Sequence, residues 1–98
     1  MKAEIKKIAA HYGLMRQSLK TLEELAELGA ELRWLANLPS CSASYLEYET
    51  QVIKVIEEMA DVEVMLEQMK FLLGCEQQVK TIKQFKVNRE LERMQNEK

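Results

Sequence analysis

One interruption constrains most of what this chain can fold into. The stretch NLPSCSAS, Asn37 to Ser44, is the one place where Pro39 meets several serines, and it separates two long segments of helical periodicity. The first runs from about Leu14 to about Asn37. The second begins near Ser44 or Tyr45 and continues through QVIKVIEEMADVEVMLEQMKFLLG to Gly74, a C-terminal cap candidate. Two long helices joined by a short loop predict antiparallel neighbours in a bundle. A shorter helix precedes them, with Ile5, Ile8, Ala9 and Tyr12 at helical spacing and Gly13 as its stop. A fourth, EQQVKTIKQFKVNRELERMQNEK, carries Val79, Ile82, Leu91 and Met94 amid abundant charge, and its last residues are expected to fray. No Val/Ile/Thr alternation bounded by turn pairs appears, so no strand is predicted. The expected fold class is all-α, a four-helix bundle in a single domain spanning residues 1–98.

A chain of 98 residues is small enough that partner copies often complete its core, which makes an oligomer plausible from size alone. It is 47% hydrophobic and 31% charged, a balance that suits a compact helical protein rather than a disordered one. The net charge of −2, with dispersed lysines and arginines, gives no basic excess for nucleic acid. Cys41 and Cys75 are too few and too widely spaced for a disulfide framework or a CxxC metal knot. They fit a reducing compartment. The opening MKAEIKKIAAHYG has no uninterrupted apolar run for a signal peptide, and no segment approaches the roughly 20 apolar residues of a membrane span. A soluble, cytoplasmic protein is expected.

The carboxylates narrow the chemistry. On the second helix Glu23, Glu24, Glu27 and Glu31 occupy one arc of roughly 100°, with Gln17 and Lys20 on the same side. The opposite arc holds Leu19, Leu22, Leu25, Ala26, Gly29 and Leu32, with a small-residue step at Ala26 and Gly29 where another helix can approach. An isolated run of this kind is usually a solvated face. The third helix changes that expectation: Glu58 lies within an apolar arc of Val55, Val62, Met65, Leu66 and Met69, and Asp61 borders it next to Lys54. A carboxylate in such a seam shifts its pKa, pairs with a cation or binds metal, because leaving it charged and unpaired costs several kcal/mol. Antiparallel packing brings Glu24 and Glu27 opposite Glu58 and Asp61, a box of four carboxylates. Oxygen-only ligands match Mg²⁺, with Mn²⁺ possible, far better than zinc. A di-iron bundle would use two Glu-x-x-His pairs, and this chain has only His11. A bundle holding Mg²⁺ with waters left on it is suited to binding phosphates and presenting an activated water to phosphorus.

These residues also carry a resemblance. EELAE, Glu23 to Glu27, followed after thirty residues by EMAD, Glu58 to Asp61, resembles the EExxE and ExxD motif pair of the MazG-like all-α nucleoside triphosphate pyrophosphohydrolases, a group related to dimeric dUTPases. The similarity extends through HYGLMRQSLKTLEELAEL, EEMADVEVMLEQMKFLLG and KQFKVNRELERM, and the gap between the motifs is slightly long. The resemblance implies Mg²⁺-dependent hydrolysis of an NTP or dNTP to the monophosphate and pyrophosphate, as in house-cleaning of nucleotide pools. It also implies a homo-oligomer, dimer or tetramer, whose neighbouring subunits complete the bundle. Glu24, Glu27, Glu58 and Asp61 match the metal positions, and Glu23 would be a further ligand or water-orienting base, so that Glu23, Glu24 and Glu27 form the catalytic set. Lys86, Arg89 and Arg93, at i, i+3 and i+7 on the fourth helix, match phosphate-binding positions, or else form a solvated face paired with Glu90 and Glu92.

Gln17, on the ridge before the acids, is a candidate base or sugar contact. His11 is more readily a surface or capping histidine than a ligand. The six methionines and Trp34 suit core or interface packing. Cys41 has no nearby His or Asp to make it a nucleophile. Two alternatives stand beside the pyrophosphohydrolase: phosphoribosyl-ATP hydrolysis within the same superfamily, and a non-catalytic helical oligomeric interaction module that keeps the carboxylates for structural metal.

Overall fold

A computed structural model describes residues 1–38 and 44–97. They form four helices and, among the described residues, no strand: α1 (Lys2–Tyr12), α2 (Leu14–Asn37), α3 (Tyr45–Leu73) and α4 (Glu76–Gln95). The all-α expectation holds, and the helix limits follow the punctuation in the sequence. Gly13 separates α1 from α2 at φ 85° and ψ 169°, a backbone state open essentially to glycine alone. Ser44 caps α3, its Oγ accepting from the Glu47 amide at 3.2 Å. Gly74 ends α3 in the left-handed region at φ 62°, where a residue with a Cβ is strained. Residues 39–43, the centre of the predicted loop and the site of Cys41, lie outside the described residues.

The two long helices pack as an antiparallel hairpin through stripes of one spacing. On α2 and its C-cap the inward positions are Gln17, Thr21, Glu24, Leu28, Glu31, Leu35 and Leu38, and on α3 they are Gln51, Val55, Glu58, Val62, Met65, Met69 and Leu72. Both series advance by alternating steps of four and three, the seam of a coiled-coil-like pair. Facing partners confirm the antiparallel sense. Gln17 Nε2 donates to Gln68 Oε1 at 2.7 Å near one end, while at the other Gln51 Nε2 donates to the Glu31 carbonyl and to Glu31 Oε2, both at 2.9 Å. Four of the seven α2 positions are polar, so the apolar arc of α2 is not the one that meets α3. Leu19 and Leu22 remain 69% and 65% exposed, and on α3 Ile53, Ile56 and Met59 are exposed as well.

Helix α1 lies across this hairpin, chiefly against α3, and buries Ala9 completely. The buried apolar core of the described residues is consequently small, comprising Ala9, Val55, Val62 and Met65. Helix α4 buries none of its residues; Lys2 Nζ, 3.4 Å from Glu76 Oε1, ties its first turn to α1. Among the described residues no helix is long and apolar enough to cross a membrane.

Candidate metal centre

The middle of the α2–α3 seam is where carboxylates meet. Glu24 and Glu58 occupy equivalent inward positions of the two stripes, and Glu27 follows Glu24 by one turn on the same side of α2. Carboxylate oxygens of Glu24, Glu27 and Glu58 lie within 4.8 Å of one another. Glu24 is buried, at 7% exposure, Glu58 is half-buried and Glu27 is exposed, so the group runs from the seam interior to the surface. Asp61, the fourth member of the expected box, is exposed and is not part of this three-residue group. Glu23, also exposed, flanks it.

Electrostatics inside the group are unbalanced. Lys20 Nζ sits 3.1 Å from Glu24 Oε1 and 3.7 Å from Glu23 Oε2. Its hydrogen bond to Glu24, reinforced by the charges of Glu23 and Glu24, holds the Lys20 ammonium above its ordinary pKa. One lysine does not neutralise three converging acids. The Glu24 carboxylate, with lost hydration and Glu58 behind it, pushes the Glu27 carboxyl above its ordinary value. Glu24 Oε2 and Glu58 Oε2 are both buried without a hydrogen-bond partner. Among the described residues no ion pair joins Lys54 to Glu58 or Asp61.

Those orphaned oxygens test whether a hard cation fits. Oxygens that ligate one such ion stand roughly 2.0–2.6 Å from it, so opposite ligands are about 4–5 Å apart, the span this group already has. An oxygen-only donor set in which two buried acceptors lack donors is the chemistry that Mg²⁺ or Mn²⁺ satisfies. Glu24, Glu27 and Glu58 could therefore hold the ion, with Glu23 and Asp61 beside it.

The remaining candidates fall elsewhere. Gln17 is buried and engages Gln68 rather than the acids. Lys86, Arg89 and Arg93 are exposed on α4, which does not pack against α2. Arg93 reaches Glu90 at 3.4 Å and Arg89 lies over the Phe85 ring at 5.9 Å. His11 is exposed, its ring edge-on to Tyr12 at 4.7 Å. Of the methionines Met65 is buried, whereas Met15 and Trp34 are largely exposed. Sequence reasoning gave no role to Gln68, Thr21 or Gln51, which polarity disguised as surface. The signal that finds Thr21 and Gln51 is their four-three spacing in register with Glu24 and Glu58, whereas Gln68, one residue before Met69, lies off that stripe and carries no such mark.

No protein-family model, no curated protein and no solved structure matches this chain.

Proposed function

We propose that this protein is a Mg²⁺-dependent nucleoside triphosphate pyrophosphohydrolase that acts as a homo-oligomer in the cytoplasm. The observation that carries this reading is the convergence of Glu24, Glu27 and Glu58 with two buried carboxylate oxygens left unpartnered. The EExxE and ExxD resemblance names the reaction, which the carboxylates alone do not. When bound, Mg²⁺ would neutralise phosphate charge and activate a water for attack on phosphorus.

The chain's own residues have definable roles in that chemistry. Glu24 and Glu58, one from each helix of the seam, would hold the ion from its buried side. Glu27, whose carboxyl is already easier to protonate than usual, completes the set from the open side. Glu23 would serve as a further ligand or as a water-orienting base, and Lys20, which holds Glu24 Oε1, leaves Glu24 Oε2 available to a cation. Lys86, Arg89 and Arg93 lie exposed on α4, away from their own chain's carboxylates, and would meet phosphates at the carboxylate group of a second copy.

Incubating the protein with a panel of NTPs and dNTPs, with and without Mg²⁺, and resolving the products by phosphorus NMR tests the reaction. Monophosphate and pyrophosphate should appear only with metal. Orthophosphate and a diphosphate as first products would overturn the assigned bond. A lack of turnover with every substrate, together with undiminished Mg²⁺ binding, would favour the non-catalytic oligomeric module.

A further inference from the structure

The three acids of the carboxylate group are not equivalent. Among the described residues Glu27 and Glu58 enter no ion pair, whereas Lys20 Nζ stands 3.1 Å from Glu24 Oε1. The other oxygen of the same carboxylate, Glu24 Oε2, is buried without a partner. We propose that Lys20 is a positioning residue that keeps Glu24 a one-oxygen ligand and thereby tilts the centre toward Mg²⁺ over Ca²⁺, an inference that rests on the metal reading above.

The tie is built into α2 itself. Lys20 and Glu24 stand at i and i+4, so one turn of helix brings the ammonium alongside the carboxylate without help from the other helices. The same ammonium lies 3.7 Å from Glu23 Oε2, which gives it a second anchor beside the group. Glu24 is 7% exposed, and an ammonium–carboxylate contact is strongest where little water competes for the acceptor.

A carboxylate with one oxygen already engaged suits the two ions unequally. Mg²⁺ demands a near-ideal octahedron with ligands at about 2.0–2.1 Å and keeps several waters. The edge of that octahedron, about 2.9 Å, exceeds the spacing of the two oxygens of one carboxylate, so each carboxylate binds Mg²⁺ through one oxygen and nothing is lost when Lys20 holds the other. Ca²⁺ takes roughly six to eight oxygens at about 2.3–2.6 Å and accepts both oxygens of a carboxylate. Glu24, Glu27 and Glu58 approach that number only by binding through both oxygens, and Lys20 denies this to Glu24, the most buried of them. The ammonium charge itself repels both divalent ions alike. The choice between them therefore comes from the oxygen that Lys20 holds.

Three variants separate charge from position. Lys20→Met removes both charge and donor, Lys20→Gln removes the charge but keeps a donor, and Lys20→Arg keeps both. Calorimetric titration of each full chain with Mg²⁺ alone and with Ca²⁺ alone gives the ratio of the two affinities, a readout that needs no turnover. In Lys20→Met the ratio should move toward Ca²⁺ by about tenfold, the low end of what losing a partner of a metal ligand does to affinity. Lys20→Arg should hold the wild-type ratio, and Lys20→Gln should stay near it with both affinities raised. A Lys20→Met ratio equal to that of wild type would overturn the proposal, as would an equal shift in Lys20→Gln, which makes charge the cause. A second measurement uses wild type alone: the ¹⁵N signal of the Lys20 ammonium should report a contact with Glu24 that survives saturation with Mg²⁺. Release of the ammonium by Mg²⁺ overturns the proposal even where Lys20→Met fails to fold. Wild type that binds neither ion removes the metal centre and the pyrophosphohydrolase reading together, whereas binding with an unmoved ratio leaves that centre standing and removes only the role of Lys20.

Discussion

Glu27 reports the crowding of the carboxylate group at the scale of single residues. Its carboxyl is raised above the ordinary value, so the folded chain binds a proton there over a pH range in which the unfolded chain does not. Stability from this group is accordingly lost as pH rises through the raised value and regained as pH falls back toward the ordinary carboxylate range. Without metal, Glu27→Gln should flatten the stability profile just above that range, measured by thermal unfolding at a series of pH values; an unchanged profile would contradict the crowding. The Lys20 ammonium is raised too, by its bond to Glu24 and the charges of Glu23 and Glu24. Its contribution is present below its ordinary value and is lost as pH rises only in strong alkali, far above the range in which Glu27 titrates. Lys20→Met leaves buried Glu24 without its ammonium partner and should lower the unfolding temperature in EDTA. Excess Mg²⁺ should narrow that deficit, because the ion replaces the missing charge. A deficit that Mg²⁺ leaves intact would show that the ion does not reach Glu24. Glu58 was legible in the sequence because an acid among Val55, Val62 and Met65 conflicts with its surroundings. Gln17 and Gln68 were harder, since a buried glutamine leaves the same mark in sequence as an exposed one.

At the scale of the helices, the ends were legible and the faces were not. Gly13, Ser44 and Gly74 mark boundaries through backbone chemistry that acts within a few residues, so sequence alone locates them. Which face of α2 meets α3 depends on the partner. The stripe from Gln17 to Leu38 is largely polar: Gln17 and Glu31 find Gln68 and Gln51 only after the hairpin forms, Thr21 bonds the Gln17 carbonyl within its own helix, and Glu24 Oε2 finds no partner. The same reasoning explains why Asp61, three residues beyond Glu58, stands apart: the seam continues from Glu58 by a step of four to Val62, which leaves Asp61 on the exposed side of it. The two punctuating glycines should respond unequally to alanine. A Cβ at either position meets nothing within 4 Å, so the cost comes from the backbone alone. Gly13→Ala forces alanine into the nearly glycine-only region and should destabilise by about 1–3 kcal/mol. Gly74→Ala enters the milder left-handed helical region and should cost about 1–2 kcal/mol. Urea denaturation orders the two. Equal stability of Gly13→Ala and the parent would mean that the α1–α2 corner adopts another geometry in solution.

For the molecule as a whole, the exposed apolar surface is the dominant fact. Leu19, Leu22, Leu25 and Leu32 on α2, with Ile53, Ile56 and Met59 on α3, face outward, while the described residues bury only four apolar side chains. Covering a fully exposed leucine is worth roughly 1.5–3 kcal/mol, so a second copy packed on these partly exposed side chains would add a share of that at each. Light scattering should give a dimer or tetramer at micromolar concentration, and Leu22→Asp should shift it toward monomer with a lower unfolding temperature; a stable wild-type monomer would contradict this account of the faces. The central claim, that the α2–α3 seam holds a hard cation, is tested most directly by unfolding wild type and Glu58→Gln in EDTA and in Mg²⁺. Glutamine keeps the size of the side chain while removing one crowded charge. The account predicts that Mg²⁺ raises the unfolding temperature of wild type but not of the mutant, which in EDTA is as stable as wild type or more so. A mutant that unfolds earlier in EDTA yet gains the full wild-type increment from Mg²⁺ would show that Glu58 is not a ligand.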